Sequence, residues 1–255
     1  MLLDLINGNI ASVELFIVTL LSMLFVIFCT MPVHEAAHAF TANKLGDSTA
    51  KHNGRLTLNP IAHINYMGAL LILLFGFGWA EPVPVNQWNL KKPKRDMALI
   101  AAAGPISNIL MAIVLLLIVN IIDLIAGFCN VTCELYGSQL LYSGVGDVTF
   151  RVFFYVINFL YSAAIVNIYL AGFNLIPFPP LDGSRIFGAF LSDKIYYKLQ
   201  SVERYSFIIV MILAATGVLS TVFGFIGDYI YRLVDFIVTL PFSLFDAYLP
   251  FHNVI

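Results

Sequence analysis

Met31-Pro32-Val33-His34-Glu35-Ala36-Ala37-His38-Ala39-Phe40 is the stretch on which the reading of this chain turns. It has the form H-E-x-x-H, and it follows an apolar run, Leu15 to Met31, that holds no charged residue. On an α-helix, side chains at i and i+4 share one face, one turn apart. His34 and His38 can therefore offer two imidazoles to one zinc ion, with Glu35 beside them as a candidate general base. The motif lies on what reads as a membrane helix.

Composition agrees. Of 255 residues, 60% are hydrophobic and only 11% charged, with a mean hydropathy of +0.89; a soluble domain carries about 25% charged residues. The expected fold class is an all-α polytopic membrane protein. It is a bundle of about 4–6 transmembrane helices with a re-entrant segment and a small cytoplasmic-side β-hairpin. One membrane-embedded domain is expected over 1–255, with a catalytic core near 14–190 and C-terminal helices near 204–255. The net charge of −2 and the lack of a long basic tract leave no nucleic-acid surface. Asp4 and Glu14 stand where a cleavable signal peptide would carry basic residues, so none is expected. Three cysteines are too few for a disulfide framework. Cys29 reads as a small hydrophobe in the first apolar run. Cys129 and Cys133 share one loop, and pairing and two free thiols stand as equal readings.

Around the motif, the first helix is expected from near Ala11–Glu14 to Leu45, capped by Gly46. At about 1.5 Å per residue it is longer than a bilayer core of about 30 Å, so it tilts, kinks at Pro32 or protrudes. Asp47 to Asn65 is polar, and alternation around Gly54 predicts the β-hairpin. Met67 to Trp79 is apolar but too short to span and reads as re-entrant. Glu81-Pro82-Val83-Pro84-Val85-Asn86 is extended by its prolines, and Lys91-Lys92-Pro93-Lys94-Arg95 is a basic cluster at a membrane edge. Further spans are expected over Met97–Phe128, from Phe150 to Asn174, and over Ser206–Phe225. From Gly227 onward, Asp228, Arg232 and Asp235 share one helix face, which suits an interfacial helix; a last span is the second reading.

Lysines and arginines, apart from Arg151 and Arg232, fall within 44–55, 91–95 and 185–204. The positive-inside rule makes those three places cytoplasmic. A catalytic zinc takes three protein ligands and keeps a position for water. Asp182 is the best candidate for the third: it falls at the same membrane side as His34 and follows Pro177, Pro179 and Pro180, which unwind the helix before it. Unwound backbone at membrane depth lines a polar cavity or is buried in protein. Gly183 permits a close backbone approach. Asp123 lies at the opposite end of its span.

These residues resemble the site-2 protease family of intramembrane zinc metalloproteases, in its compact bacterial form. The family's motifs stand in order: H-E-x-x-H at 34–38, G-x-x-x-N at Gly104 to Asn108, and N-x-x-P-x-P-x-x-D-G at Asn174, Pro177, Pro179, Asp182 and Gly183. Gly54-Arg55-Leu56-Thr57-Leu58-Asn59-Pro60 is similar to its compact bacterial members as well. Glu81 departs from the lysine expected before Pro-Val-Pro, and it touches no expected ligand. The resemblance implies one zinc per chain on His34, His38 and Asp182, with Glu35 as base. It also implies a catalytic role for Asn174 on the substrate backbone or oxyanion, and substrate contacts from Asn108 and Gly104. Substrates would be transmembrane proteins or peptides within the lipid bilayer, cut near the cytoplasmic face of a bacterial inner membrane. PDZ-like and CBS-like domains are not expected.

Blander readings stand beside these. Gly104 more simply allows close helix packing, Asn108 equally well makes an interhelical hydrogen bond, and His63 is a loop residue with a local hydrogen bond. Two rival functions remain: an inactive relative that binds membrane clients, and a metal transporter. A transporter needs a continuous polar path, which the apolar outer halves of the spans do not offer, and it leaves Glu35 without a role.

Overall fold

The computed structural model describes residues 13–75, 78–136, 139–143, 146–196, 205 and 218–243. Three helices among these are long and apolar enough to cross a membrane: Phe16–Leu45, Pro93–Phe128 and Val148–Asn174. The expected bundle of 4–6 spans is therefore represented by three.

The first is composite. Helix α1 (Val13–Phe25) runs through a π-helical turn (Val26–Thr30) into α2 (Met31–Leu45). Pro32 has no N–H, so the Phe28 carbonyl has no i+4 donor. The Met31 N–H instead reaches back five residues to the Val26 carbonyl, and the helix absorbs the proline as a π turn. Gly46, at φ 112°, ends α2 as expected.

The expected hairpin around Gly54 is not there. Residues 47–65 form a short helix, α3 (Thr49–His52), and a 3-10 turn at Pro60–Ala62, with no strand. The cause is Asp47. Its Oδ1 accepts from the Thr49 N–H and hydroxyl, which starts a helical turn. The Arg55 N–H then closes that turn on Ala50 O across Gly54, at φ 68°. A hairpin does occur elsewhere: β1 (Thr132–Tyr136) pairs antiparallel with β2 (Gln139–Ser143), with Thr132 opposite Ser143. Cys129, just before it, is a free thiol.

Helix α4 (Tyr66–Phe75) begins and ends beside the same stretch of chain. The Glu81 N–H donates to His63 O, and Asn65 Nδ2 donates to the Glu81 carboxylate. A Cβ on Gly68 would lie 2.0 Å from the Trp79 carbonyl, so the two backbones touch there and only glycine fits. The chain thus enters and leaves α4 at one level.

Helix α5 (Pro93–Phe128) is the hub. It packs on α2, on α6 (Asp147–Asn174), on the short α7 (Asp182–Gly188) and on α8 (Val218–Thr239). Ala112, Leu115 and Leu116 of α5 meet Ala163, Ala164 and Ile168 of α6 and Ile230, Val234 and Val238 of α8. Lipid is as apolar as leucine, so helices associate by close packing, and alanines at the seam allow it.

Helix α8 corrects a second expectation. A boundary was expected between Phe225 and Gly227, but the helix runs unbroken from Val218 to Thr239. Gly227 is there for its neighbour: a Cβ would come within 2.3 Å of the Tyr169 ring. Asp228 accepts from the Tyr169 hydroxyl at 2.6 Å, so that charge is tied to α6. The first part of the expected Ser206–Phe225 span, residues 206–217, lies outside the described residues.

Candidate metal centre

Three elements far apart in sequence converge. Helix α2 supplies His34 and His38 from adjacent turns of one face, both buried. The loop after α6 turns at Pro177 to Pro180 and delivers Asp182 as the first residue of α7. Gly183 makes this possible, since a Cβ there would lie 2.4 Å from both the Leu175 and Ile176 carbonyls. Helix α5 forms the floor. A Cβ on Gly104 would fall 2.5 Å from His34 Nε2 and from His38 Nε2, so any larger residue would displace the imidazoles.

The ligand atoms form a triangle. His34 Nε2 and His38 Nε2 are 3.0 Å apart, and Asp182 Oδ2 is 3.3 Å from the first and 3.4 Å from the second. Zinc bound at about 2.0–2.1 Å by nitrogen and oxygen in tetrahedral geometry holds its ligands roughly 3.3 Å apart.

The proton inventory gives a second, independent test. His38 Nδ1 lies 2.7 Å from the Ile100 carbonyl, which only accepts, so Nδ1 carries a proton and, in the neutral ring, Nε2 is bare. His34 Nδ1 lies 3.1 Å from the Asn108 amide. The Asn108 Oδ1 is a buried acceptor with no partner when Nδ2 faces the ring. A half-turn of that amide places Oδ1 on the Nδ1–H and gives those two atoms each a partner. Each histidine then turns a bare Nε2 inward, toward a carboxylate oxygen that itself has no hydrogen-bond partner. Three lone-pair atoms converge on one point, an arrangement that a cation stabilises and that its absence leaves repulsive. The donor set, two imidazoles and one carboxylate, is that of a hydrolytic zinc.

Glu35 lies between the histidines on α2, partly exposed. Its Oε2 accepts the Val83 N–H at 3.0 Å. Pro82 and Pro84 have no N–H, so Val83 carries the one backbone donor within Pro82-Val83-Pro84. Asn174 ends α6 and donates to Leu170 O within its own helix. Of the predicted residues, His34, His38 and Asp182 are brought together, and Glu35 adjoins them. Asn108 and Gly104, expected to touch substrate, are buried against the imidazoles. His63 donates locally from Nε2 to Thr57 O, as the blander reading held.

The family model for peptidase family M50 matches residues 22–217. The chain belongs to that family, the site-2 proteases. As an M50 member it is a metalloprotease of compact size. The chain is 39% identical over 186 residues to the Bacillus subtilis protein named "Putative zinc metalloprotease YwhC", covering 72% of this chain and 75% of that one. It is 27% identical over 209 residues to "Putative zinc metalloprotease Rip2" of Mycolicibacterium smegmatis, covering 80% and 69%. Zinc metalloprotease MJ0392 of Methanocaldococcus jannaschii is 27% identical over 195 residues, 76% of this chain and 39% of that longer protein. No solved structure matches the chain.

Some parts of this M50 site carried no usable sequence signal. The Ile100 carbonyl and the Val83 N–H are backbone groups, present at any residue type. Asn167 was visible as a polar residue inside an apolar span. It donates to the Thr30 hydroxyl at 3.0 Å and so fastens α6 to the π turn just ahead of the histidines.

Proposed function

We propose that this M50 peptidase is an intramembrane zinc endopeptidase that hydrolyses transmembrane segments of other membrane proteins near the cytoplasmic face. His34, His38 and Asp182 would hold one zinc per chain. The observation that carries this reading is the triangle of 3.0, 3.3 and 3.4 Å between two imidazoles on an apolar helix and a carboxylate at the start of α7. Zinc supplies a Lewis acid for the scissile carbonyl and a water whose pKa falls to about 7.

The chain's own residues supply the rest. Glu35 accepts the proton of the attacking water and delivers it to the leaving amine. The Val83 N–H fixes one carboxylate oxygen, so the other is the one that moves the proton. Asn174 is assigned to the substrate backbone or the developing oxyanion. Asn108 and Gly104 act through the histidines, one by orienting His34 and the other by leaving both rings room. A helical substrate hides its carbonyls in its own hydrogen bonds and must unwind locally before attack.

The cytoplasmic assignment rests on the lysine and arginine distribution. It agrees with reading α4 as a re-entrant helix, since the chain enters and leaves it at one level. The membrane is assigned as a bacterial inner membrane from the compact form.

The test is zinc content and cleavage together. Wild type, Asp182→Ala and Glu35→Gln are purified in detergent, assayed for zinc per chain and reconstituted with a panel of single-span substrates. Wild type is expected to hold one zinc and cleave, Asp182→Ala to lose most zinc and all cleavage, and Glu35→Gln to keep zinc without cleaving. Zinc-loaded wild type that binds the panel without cutting it would replace this reading with the inactive client-binding relative.

A further inference from the structure

The basic cluster at 91–95 does more than mark a membrane side. Lys44, Leu45 and Gly46 at the end of α2 and Lys91, Lys92, Arg95 and Asp96 at the start of α5 line one open pocket of about 440 Å³. Two of the three candidate spans therefore meet there, end to start. Four exposed cations surround the pocket.

Among the described residues, three of these four charges have no carboxylate partner. Asp96 is buried, and both its oxygens are engaged: Oδ2 accepts the Lys92 N–H, and Oδ1 accepts from the Arg95 guanidinium at 3.0 Å. That pairing neutralises Arg95. Lys94, between them in sequence, turns away to Asp193 and the Leu191 carbonyl. Among the described residues no carboxylate pairs with Lys44, Lys91 or Lys92. Three like charges around one concavity repel one another, and a bound anion relieves that repulsion. The α5 N-terminus adds the positive end of its dipole to the same pocket.

The surroundings select the source of the anion. One helical turn into the span from Lys44 is Phe40, 55% exposed, with the Lys44 ammonium 5.4 Å from its ring centre. One turn into the span from Arg95 is Leu99, 47% exposed. Both helices thus present a cation at the edge and bare apolar surface just below it. A free phosphate would use only the first; a phospholipid uses both.

We infer that this pocket is a binding site for the phosphate headgroup of an anionic phospholipid, whose acyl chains lie along Phe40 and Leu99. The site is separate from the metal centre and does not depend on the protease reading. An occupant bridges α2, which carries His34, Glu35 and His38, to α5, which carries Ile100, Gly104 and Asn108. Ala42, Met97 and Ile100 pack together just inside it, so lipid occupancy tightens the seam that sets His38.

The experiment uses the delipidated full chain in a neutral detergent. Dioleoyl phosphatidylglycerol and dioleoyl phosphatidylcholine are titrated in turn, followed by native mass spectrometry and by thermal unfolding. Phosphatidylglycerol is expected to bind about tenfold more tightly and to raise the unfolding midpoint. Lys91→Gln with Lys92→Gln should abolish that preference, and Lys91→Arg with Lys92→Arg should keep it. Lys51→Gln with Lys194→Gln removes the same charge elsewhere and should also keep it. Equal binding of the two lipids overturns the inference, as does equal loss in the control pair. Sodium phosphate is the third arm: if it stabilises the lipid-free protein as much as phosphatidylglycerol does, the pocket takes free phosphate and the lipid assignment falls. Zinc content in every variant should match wild type, so failure here is distinguishable from failure of the metal site.

Discussion

The Asn108 amide lies 3.1 Å from His34 Nδ1 across 74 residues of sequence, with both side chains buried. Of the two histidines, His38 is oriented by a backbone carbonyl, which no substitution removes, and His34 by a side chain, which one can. Asn108→Asp keeps an acceptor in place and is expected to retain zinc. Asn108→Leu removes it and frees the ring to rotate or change tautomer, which should weaken zinc binding about 10–100-fold. Chelator competition on the purified variants measures the ratio. Equal affinity in Asn108→Leu and wild type would show that the amide does not orient His34.

Gly104 carries a steric prediction with no electrostatic component. A methyl group there would sit 2.5 Å from both Nε2 atoms, in the space the metal and its ligands need. Gly104→Ala is expected to purify with little zinc and no proteolysis. Gly54→Ala is the control. It has open space but a φ of 68°, so it should cost about 1–2 kcal/mol of stability while leaving zinc unchanged.

These two residues show what the sequence could disclose. The spacing of His34, Glu35 and His38 and the proline-broken approach to Asp182 were legible because helix period and proline chemistry are local. The role of Gly104 and Asn108 was ambiguous, because it depends on which helix α5 faces, and α5 is apolar on every side. The Gly54 hairpin was misread for a related reason. Alternation in Arg55-Leu56-Thr57-Leu58 predicts a strand only if a partner edge exists, and Asp47 diverts the chain into a helical turn first. Gly227 was taken as a boundary when its lack of a side chain serves Tyr169 on another helix. In a membrane the pattern of polar and apolar residues no longer separates inside from outside, so packing partners are the least legible part.

Val83 tests whether the base is positioned by backbone. Val83→Ala retains the N–H that Glu35 accepts, whereas Val83→Pro removes it and little else in an already extended, proline-flanked segment. Val83→Ala is expected to cleave at the wild-type rate. Val83→Pro should lower kcat by about tenfold, the scale of one charge-assisted hydrogen bond, with KM and zinc content unchanged. A rise in KM alone would assign the segment to substrate binding.

Asp47 gives the pH dependence. Its carboxylate accepts from Thr49, from the Asn89 amide at 2.8 Å and from the Asn86 N–H at 2.7 Å, and so holds the end of α2 to the chain that leads into α5. Burial opposes its charge, but these donors outweigh burial and hold its pKa below the ordinary value. A folded-state pKa below the unfolded one means that the unfolded chain binds more protons in the interval between them, so stability rises with pH there. The contribution is complete above the unfolded value of about 4 and is lost as pH falls through the lower folded value. Thermal unfolding of the detergent-solubilised protein should therefore show a midpoint that drops below pH 4 in wild type. Asp47→Asn cannot accept at both positions; it is expected to lose about 1–3 kcal/mol at neutral pH and to show a shallower acid limb. Parallel acid limbs in the two proteins would assign the acid sensitivity to other carboxylates.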